Sequence, residues 1–270
     1  MGIVMGTLLG AAVAVAPAWS VQWSTRGDAA RPVLGQTYRP GRQTLELGRH
    51  FDAHSQADFE HEFRDLDLPE VEGEPADTNG FVHRLTFAWQ RRSDTLHLRL
   101  GVTLAVSSNA LKSPGDLGAE DLRPAVGIEW RSGPAWLALY ADDRLGRTLV
   151  YPGFELPLRP APSHEIRLGF PESSLHWLMA PGWRSVAAIE PDGACWRVRD
   201  DQLERRSEVC SRSWQAAWTL HWRVTDILTV AAAVGHSFES TMVYQLRGGS
   251  SVRIDIPAGS FYLLSMGARF

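Results

Sequence analysis

The strongest constraint on this chain is alternation with a period of two, carried over runs longer than soluble sheets use. From Asp94 to Ser107, Leu96, Leu98, Leu100, Val102, Leu104 and Val106 share one face of an extended chain. His97, Arg99, Gly101, Thr103 and Ala105 share the other. Such a strand runs to about twelve residues, against about five or six in soluble sheets, and it matches the length that crosses a bilayer at a tilt. The pattern recurs. Leu85, Phe87 and Trp89 alternate with Arg84, Thr86, Ala88 and Gln90; Val126, Ile128 and Trp130 with Gly127, Glu129 and Arg131; Ile166, Leu168 and Phe170 with Glu165, Arg167 and Gly169. Farther on, Trp214, Ala216, Trp218, Leu220 and Trp222 alternate with Gln215, Ala217, Thr219, His221 and Arg223. Leu228, Val230, Ala232 and Val234 do so with Thr229, Ala231, Ala233 and Gly235. Helical periodicity is nearly absent.

Compact turn signals separate these runs: Arg92-Ser93-Asp94, Ser132-Gly133-Pro134, Ala180-Pro181-Gly182, Pro191-Asp192-Gly193 and Thr225-Asp226 among them. Longer polar links span Ser107 to Arg123, Asp200 to Ser213 and Gly248 to Ser260. Tight turns at one rim and long loops at the other fit a closed antiparallel up-and-down transmembrane β-barrel. The expected strand count is ten to twelve, with Tyr151 to Ser163 unassigned. Asp58 to Asp77 carries nine acidic residues and one arginine, Arg64. It lacks the spacing of a dedicated calcium loop, so a solvated loop ahead of the main strands is expected there.

The first twenty residues stand apart. Ile3 to Val15 is a short apolar run followed by Ala16-Pro17-Ala18, an A-x-A cleavage pattern, with Ala18-Trp19-Ser20 as a second option. No lysine or arginine precedes it, and the first positive side chain is Arg26. Three parts follow: residues 1–18 as a signal peptide, 19–79 with room for a first strand and the acidic loop, and 80–270 as the main barrel. Beyond Ala18 no apolar run reaches the roughly 18 residues of a membrane helix. A formal net charge of −4 with 21% charged residues points away from nucleic-acid partners. Cys195 and Cys210, the only cysteines, are a candidate disulfide that would close a loop worth about 3 kcal/mol in the chain-entropy model. No cofactor or metal site is expected.

Three features favour lipid over a soluble core. The polar faces carry long charged groups, and Arg99, Glu129, Arg131, Glu165, Arg167, Arg197, Arg199, His221 and Arg223 are the candidate lumen-lining residues. Trp89, Trp130, Trp136, Trp177, Trp183, Trp214 and Trp222 lie at or near strand ends, where an indole suits the headgroup level. Finally, Tyr262, Leu264, Met266, Ala268 and Phe270 share one face of the last ten residues, and the chain stops on an aromatic. That ending resembles the assembly signal of bacterial outer-membrane barrels, with Tyr262, Leu264, Met266 and Phe270 as its residues; Ala268 is smaller than usual at its place.

The stretches Leu168 to Trp177, Trp183 to Ser185, Pro191 to Val198 and Gly235 to Phe270 together resemble a family of bacterial outer-membrane barrel proteins of uncharacterised function. The resemblance covers the C-terminal two-fifths of the chain and implies a fold, a Gram-negative outer-membrane location and partnership with lipids and the barrel-assembly machinery. It implies no activity. The expected role is a narrow channel for an unidentified small solute or a structural surface protein. The alternatives are a soluble periplasmic all-β binding protein and a lipid-modifying enzyme of the membrane. No G-x-S-x-G, H-E-x-x-H or phosphate loop is present, and Ser174 with His176, two apart on one strand face, is the faint enzymatic candidate. An enzyme is not expected. Paired lumen charges favour a filled interior over an open pore.

Overall fold

Alternation becomes structure strand by strand. The computed structural model describes residues 18–33, 36–66, 81–199, 206–245 and 251–270; the signal-peptide reading therefore lies outside the described residues, apart from Ala18. The strands are β1 (Ala18–Asp28), β2 (Arg31–Val33), β3 (Gln36–Tyr38), β4 (Gly41–His50), β5 (Ser55–Asp65), β6 (Phe81–Arg92) and β7 (Leu96–Ser107). After the short helix α1 (Ser108–Leu111) come β8 (Leu122–Pro124), β9 (Val126–Ser132), β10 (Ala135–Asp142), β11 (Leu149–Ala161), β12 (His164–Phe170), β13 (Ser173–Ala180) and β14 (Trp183–Pro191). The last are β15 (Ala194–Arg199), β16 (Arg206–Arg223), β17 (Leu228–Gln245), β18 (Ser251–Ile256) and β19 (Gly259–Arg269).

The wall is a closed antiparallel ring of 14 strands: β1, β4, β5, β6, β7, β9, β10, β11, β12, β13, β14, β16, β17 and β19. It closes where β19 pairs with β1, from Ser20 opposite Arg269 to Asp28 opposite Phe261. Closure is what hydrocarbon demands, because an open edge there leaves N–H and C=O groups unpaired. The count of ten to twelve is corrected to 14, and the extra strands come from the N-terminal part. Its Ala18–Asp65 span supplies three wall strands, not one. In β5 the acidic residues disguise a regular alternation: Asp58, Glu60, Glu62 and Arg64 face inward while Ala57, Phe59, His61 and Phe63 face outward. The expected acidic loop is thus strand up to Asp65; its part 67–77 lies outside the described residues. Tyr151 to Ser163 belongs mostly to β11, whose Pro152 and Pro157 argued against a strand. The presumed links 200–213 and 248–260 likewise contain the start of β16 and all of β18.

The outer surface is an apolar belt. Phe87, Leu100, Leu139, Phe154, Leu175, Trp218, Val234, Leu264 and Met266 are all exposed. Trp183 and Trp222 stack outward with ring centroids 5.3 Å apart, and Trp130 and Trp177 are exposed beside the same rim. Trp136 departs from the expectation: it faces the lumen and stacks on His97. Ala18, Phe270 and the tight turns 51–54, 93–95, 133–134, 162–163, 181–182 and 224–227 gather at one end; the long connections lie at the other.

At the loop end the wall folds over itself. Beyond Pro191 the chain runs through Asp192 and Gly193 into β15, which pairs with the start of β16 and bridges β7 at Arg197 opposite Val106. Between β14 and β7 stand β13, β12, β11, β10 and β9 on one side and the rest of the ring on the other, so β15 lies across the mouth as a strap. The start of β16, Ser240–Gln245 of β17 and β18 continue the sheet behind it. Their inner face carries Trp196, Val198, Val209, Met242, Tyr244, Ile254 and Ile256, packed with Val33, Tyr38, Leu66, Val82 and Ala105 from the facing rim. Trp196 and Met242 are fully buried. A bulge makes this possible. Arg212 pairs with Thr241, but Trp214 pairs with Phe238, so β17 carries one extra residue. Glu239 absorbs it at φ 50°, and the even-numbered side chains switch from the lipid face to the inner face.

Candidate functional site: the closed mouth

The strap brings Asp192 into the lumen opposite three arginines from three wall strands. Arg26 of β1 donates to Asp192 at 2.9 Å and to the side-chain Oε1 of Gln215 at 2.7 Å. Arg42 of β4 donates to Asp192 at 2.9 Å, and Arg64 of β5 does so at 3.1 Å. Two further carboxylates complete the plug: Asp28 accepts from Arg26 and from Arg31, each at 3.0 Å, and Glu62 accepts from Arg64 at 2.7 Å. Arg31 also donates to Ser237 at 2.7 Å. Aromatic faces cover two of the cations. The Arg26 guanidinium lies 3.8 Å from the Phe261 ring, and that of Arg64 lies 5.2 Å from Trp196.

Burial alone would raise the Asp192 carboxyl, but Arg42, Arg64 and Arg26 outweigh it and hold it well below the usual carboxylate range. Burial also lowers Arg31, against the pull of Asp28. A plug of this kind is stiff: removing one partner of a buried pair leaves an uncompensated charge, at about 3–5 kcal/mol.

The strap is wedged from the other side too. Asp143, fully buried in the β10–β11 link, accepts from Arg84 at 2.8 Å and from the Cys195 amide at 2.9 Å. Gly193 packs so closely there that a Cβ would run into the Arg144 carbonyl and the Gly146 amide. Gly146 itself sits at φ 78°, beside Arg212. Cys195 and Cys210 are bonded and tie the strap to β16. Among the described residues, Cys195, Glu208 and Cys210 form a group of metal-type donors, and the disulfide takes both sulfurs from it.

The candidate lumen-lining residues fall in two places. Arg99, Glu129, Arg131, Glu165, Arg167, His221 and Arg223 stand on inward faces of β7, β9, β12 and β16. Glu129 accepts from Tyr140 at 3.0 Å and lies 3.2 Å from His97, while Glu165 accepts from Arg167 at 2.7 Å. Arg131 reaches the Gly133 carbonyl at the tight-turn rim. Arg197 and Arg199 sit instead on the strap, where Arg197 lies 3.8 Å from Asp121 and the Arg199 amide donates to Ser107 at 3.1 Å.

Ser174 and His176 do meet, Oγ to Nε2 at 2.8 Å, but inside the lumen and away from lipid. Behind His176 stands Arg184, not a carboxylate; a guanidinium there opposes the imidazolium that a general base must become. A second contact faces outward: Ser108 lies 2.9 Å from His83, which lies 3.0 Å from His61. Sequence reasoning missed Arg26, Arg31, Arg42, Asp143 and Asp192 altogether. The one available signal is Pro191-Asp192-Gly193, one residue short of Cys195, which by itself reads only as a turn.

A closed antiparallel ring with an apolar outer belt and a polar interior defines a transmembrane β-barrel of the bacterial outer-membrane kind. Its described residues include no helix long and apolar enough to cross a membrane. Solved structures with a similar fold include a bacterial polysaccharide outer membrane secretin (8% identity, TM-score 0.48, 93% of this chain and 98% of that one). Others are an outer membrane channel from Pseudomonas putida F1 (9%, 0.45, 96% and 97%) and the NanC porin (10%, 0.39, 91% and 98%). No protein-family model matches the chain, and no curated protein matches it.

Proposed function

We propose that this protein is a narrow channel for small solutes whose resting state is shut at the loop end by its own strap. The observation that carries the reading is Asp192 gripped by Arg26, Arg42 and Arg64 across the lumen. A permanent filler would need only apolar packing. An ion-paired bar, held by one carboxylate and resting on a distinct apolar core, has two separable arrangements. On this reading Arg99, Glu129, Arg131, Glu165, Arg167, His221 and Arg223 line the path below the plug, and Arg197 and Arg199 belong to the gate. Residues 1–18 direct export and are removed. Tyr262, Leu264, Met266 and Phe270 hand the last strand to the assembly machinery of a Gram-negative outer membrane.

The test is planar-bilayer conductance of the full chain against Asp192→Ala. The parent is expected to show small, rare openings, and the variant a several-fold larger open fraction. If both stay silent while both keep the heat-dependent gel shift of a folded barrel, the protein is a structural surface barrel.

A further inference from the structure

Between the plug and the overlying sheet lies a cavity whose chemistry is lopsided. Five arginines line it against two aspartates, and Glu62 behind Arg42 and Arg64 brings the acids to three. Arg212 is exposed. The other four guanidinium groups, of Arg26, Arg31, Arg42 and Arg64, are largely enclosed. Among the described residues these four share three carboxylates by direct hydrogen bonds, so one enclosed positive charge has no acid of its own. Buried charge of that kind is costly unless paired.

Unmet donors lie at the same place. Arg31 Nε, Ser211 Oγ and Ser240 Oγ are buried without a hydrogen-bond partner, in residues that all line the cavity. Arg31 is 5% exposed and Ser240 8%. Buried polar atoms are nearly always satisfied, by protein, ordered water or a bound ion, and three together in one arginine-rich cavity mark a place where a polar guest would find donors waiting. Ser213, Ser237 and Thr241 bring the lining serines and threonines to five, while the Tyr38 ring, Leu66 and Ile256 offer an apolar flank. Guanidinium groups take an oxyanion, hydroxyls take hydroxyls or a second oxyanion oxygen, and the flank takes a short carbon skeleton.

We infer that this cavity is a binding site for a small hydroxylated carboxylate, held by Arg31 with Ser211 and Ser240. The inference rests on the gated-channel reading for the route such a solute would take, but not for the site itself. A guest carboxylate would supply the missing negative charge beside the arginines that grip Asp192, so binding and the state of the gate are coupled.

The test uses the full, disulfide-bonded chain in detergent micelles, with gluconate as the probe. Thermal unfolding and calorimetric titration are run beside chloride at matched ionic strength, glucose and inorganic phosphate. Gluconate is expected to bind saturably and raise the unfolding temperature, with chloride and glucose doing neither. Arg31→Gln is expected to weaken binding at least tenfold. Ser240→Ala, which removes only a hydroxyl and leaves the plug intact, is expected to weaken it several-fold and keeps the test valid if Arg31→Gln misfolds. A gluconate effect no larger than that of chloride, or one unchanged in Ser240→Ala, overturns the site. Phosphate binding as tightly as gluconate overturns the hydroxycarboxylate assignment. Bilayer current is read separately: binding without current leaves the site standing and removes the channel, and current without binding does the reverse.

Discussion

The belt and the mouth are built from the same alternating strands, yet they use alternation in opposite senses. In the belt Val230, Ala232 and Val234 of β17 turn outward to lipid, and the interior they leave behind is polar. Past Glu239 the same strand turns Met242 and Tyr244 inward, onto Trp196 and Ile254, as a soluble protein would. The belt is held by a closed ladder of backbone hydrogen bonds that lipid cannot replace. The mouth is held by area removed from water, at roughly 25 cal/mol per Å², and by buried ion pairs. One chain thus carries a membrane-type and a water-type solution, joined at a single bulge, and the two should fail separately.

Met242→Arg is the most drastic way to test that separation. Met242 is fully buried in the apolar core of the mouth, and an unpaired charge placed there is costly enough to open that core. The strap should become protease-sensitive while the barrel keeps its heat-dependent gel shift; loss of both together would mean that the mouth is not an independent unit. Next comes Trp196→Ala. Removing a fully buried indole should cost about 3–5 kcal/mol, seen as strap proteolysis and a larger bilayer current, with the ring itself unchanged. In the other direction, Leu264→Arg places a charge on the lipid face of β19 and should cost about 2–4 kcal/mol at midplane depth. Its effect should show in denaturant unfolding of the barrel, with the cleavage pattern of the mouth as in the parent. A change at the mouth instead would contradict the separation.

The mildest expectation concerns pH. Because Asp192 is held below its ordinary value, its contribution is complete above the unfolded carboxylate pKa and lost only as pH falls through the lowered folded value. Current should therefore stay constant from about pH 8 down to about pH 4 and rise only in stronger acid. A rise near pH 6 would place control of the gate in a group other than the Asp192 grip.

Much of the belt was legible from residues alone. The outward faces of β7, β9, β16 and β19 follow directly from period two, because a strand offers only two sides and lipid accepts only one kind. Where local chemistry masked the period, the reading went astray. The acidic inward face of β5 looked like a solvated loop, and the prolines of β11 looked like a break, so the strand count came out low. The Ser174–His176 contact shows the same limit: spacing put both on one side, but only the ring's curvature says that the side is the lumen.

Period-two alternation in long strands, with turns of two kinds between them, is therefore enough for the class of fold. The mouth is set by contacts that the strand pattern does not contain. Arg26, Arg42 and Arg64 lie far in the chain from Asp192, and no periodicity links them. Their meeting depends on ring closure and on a strap that crosses the lumen. Local propensity acts between neighbours along the chain, whereas a buried charge network is selected by the enclosed space that distant strands create together.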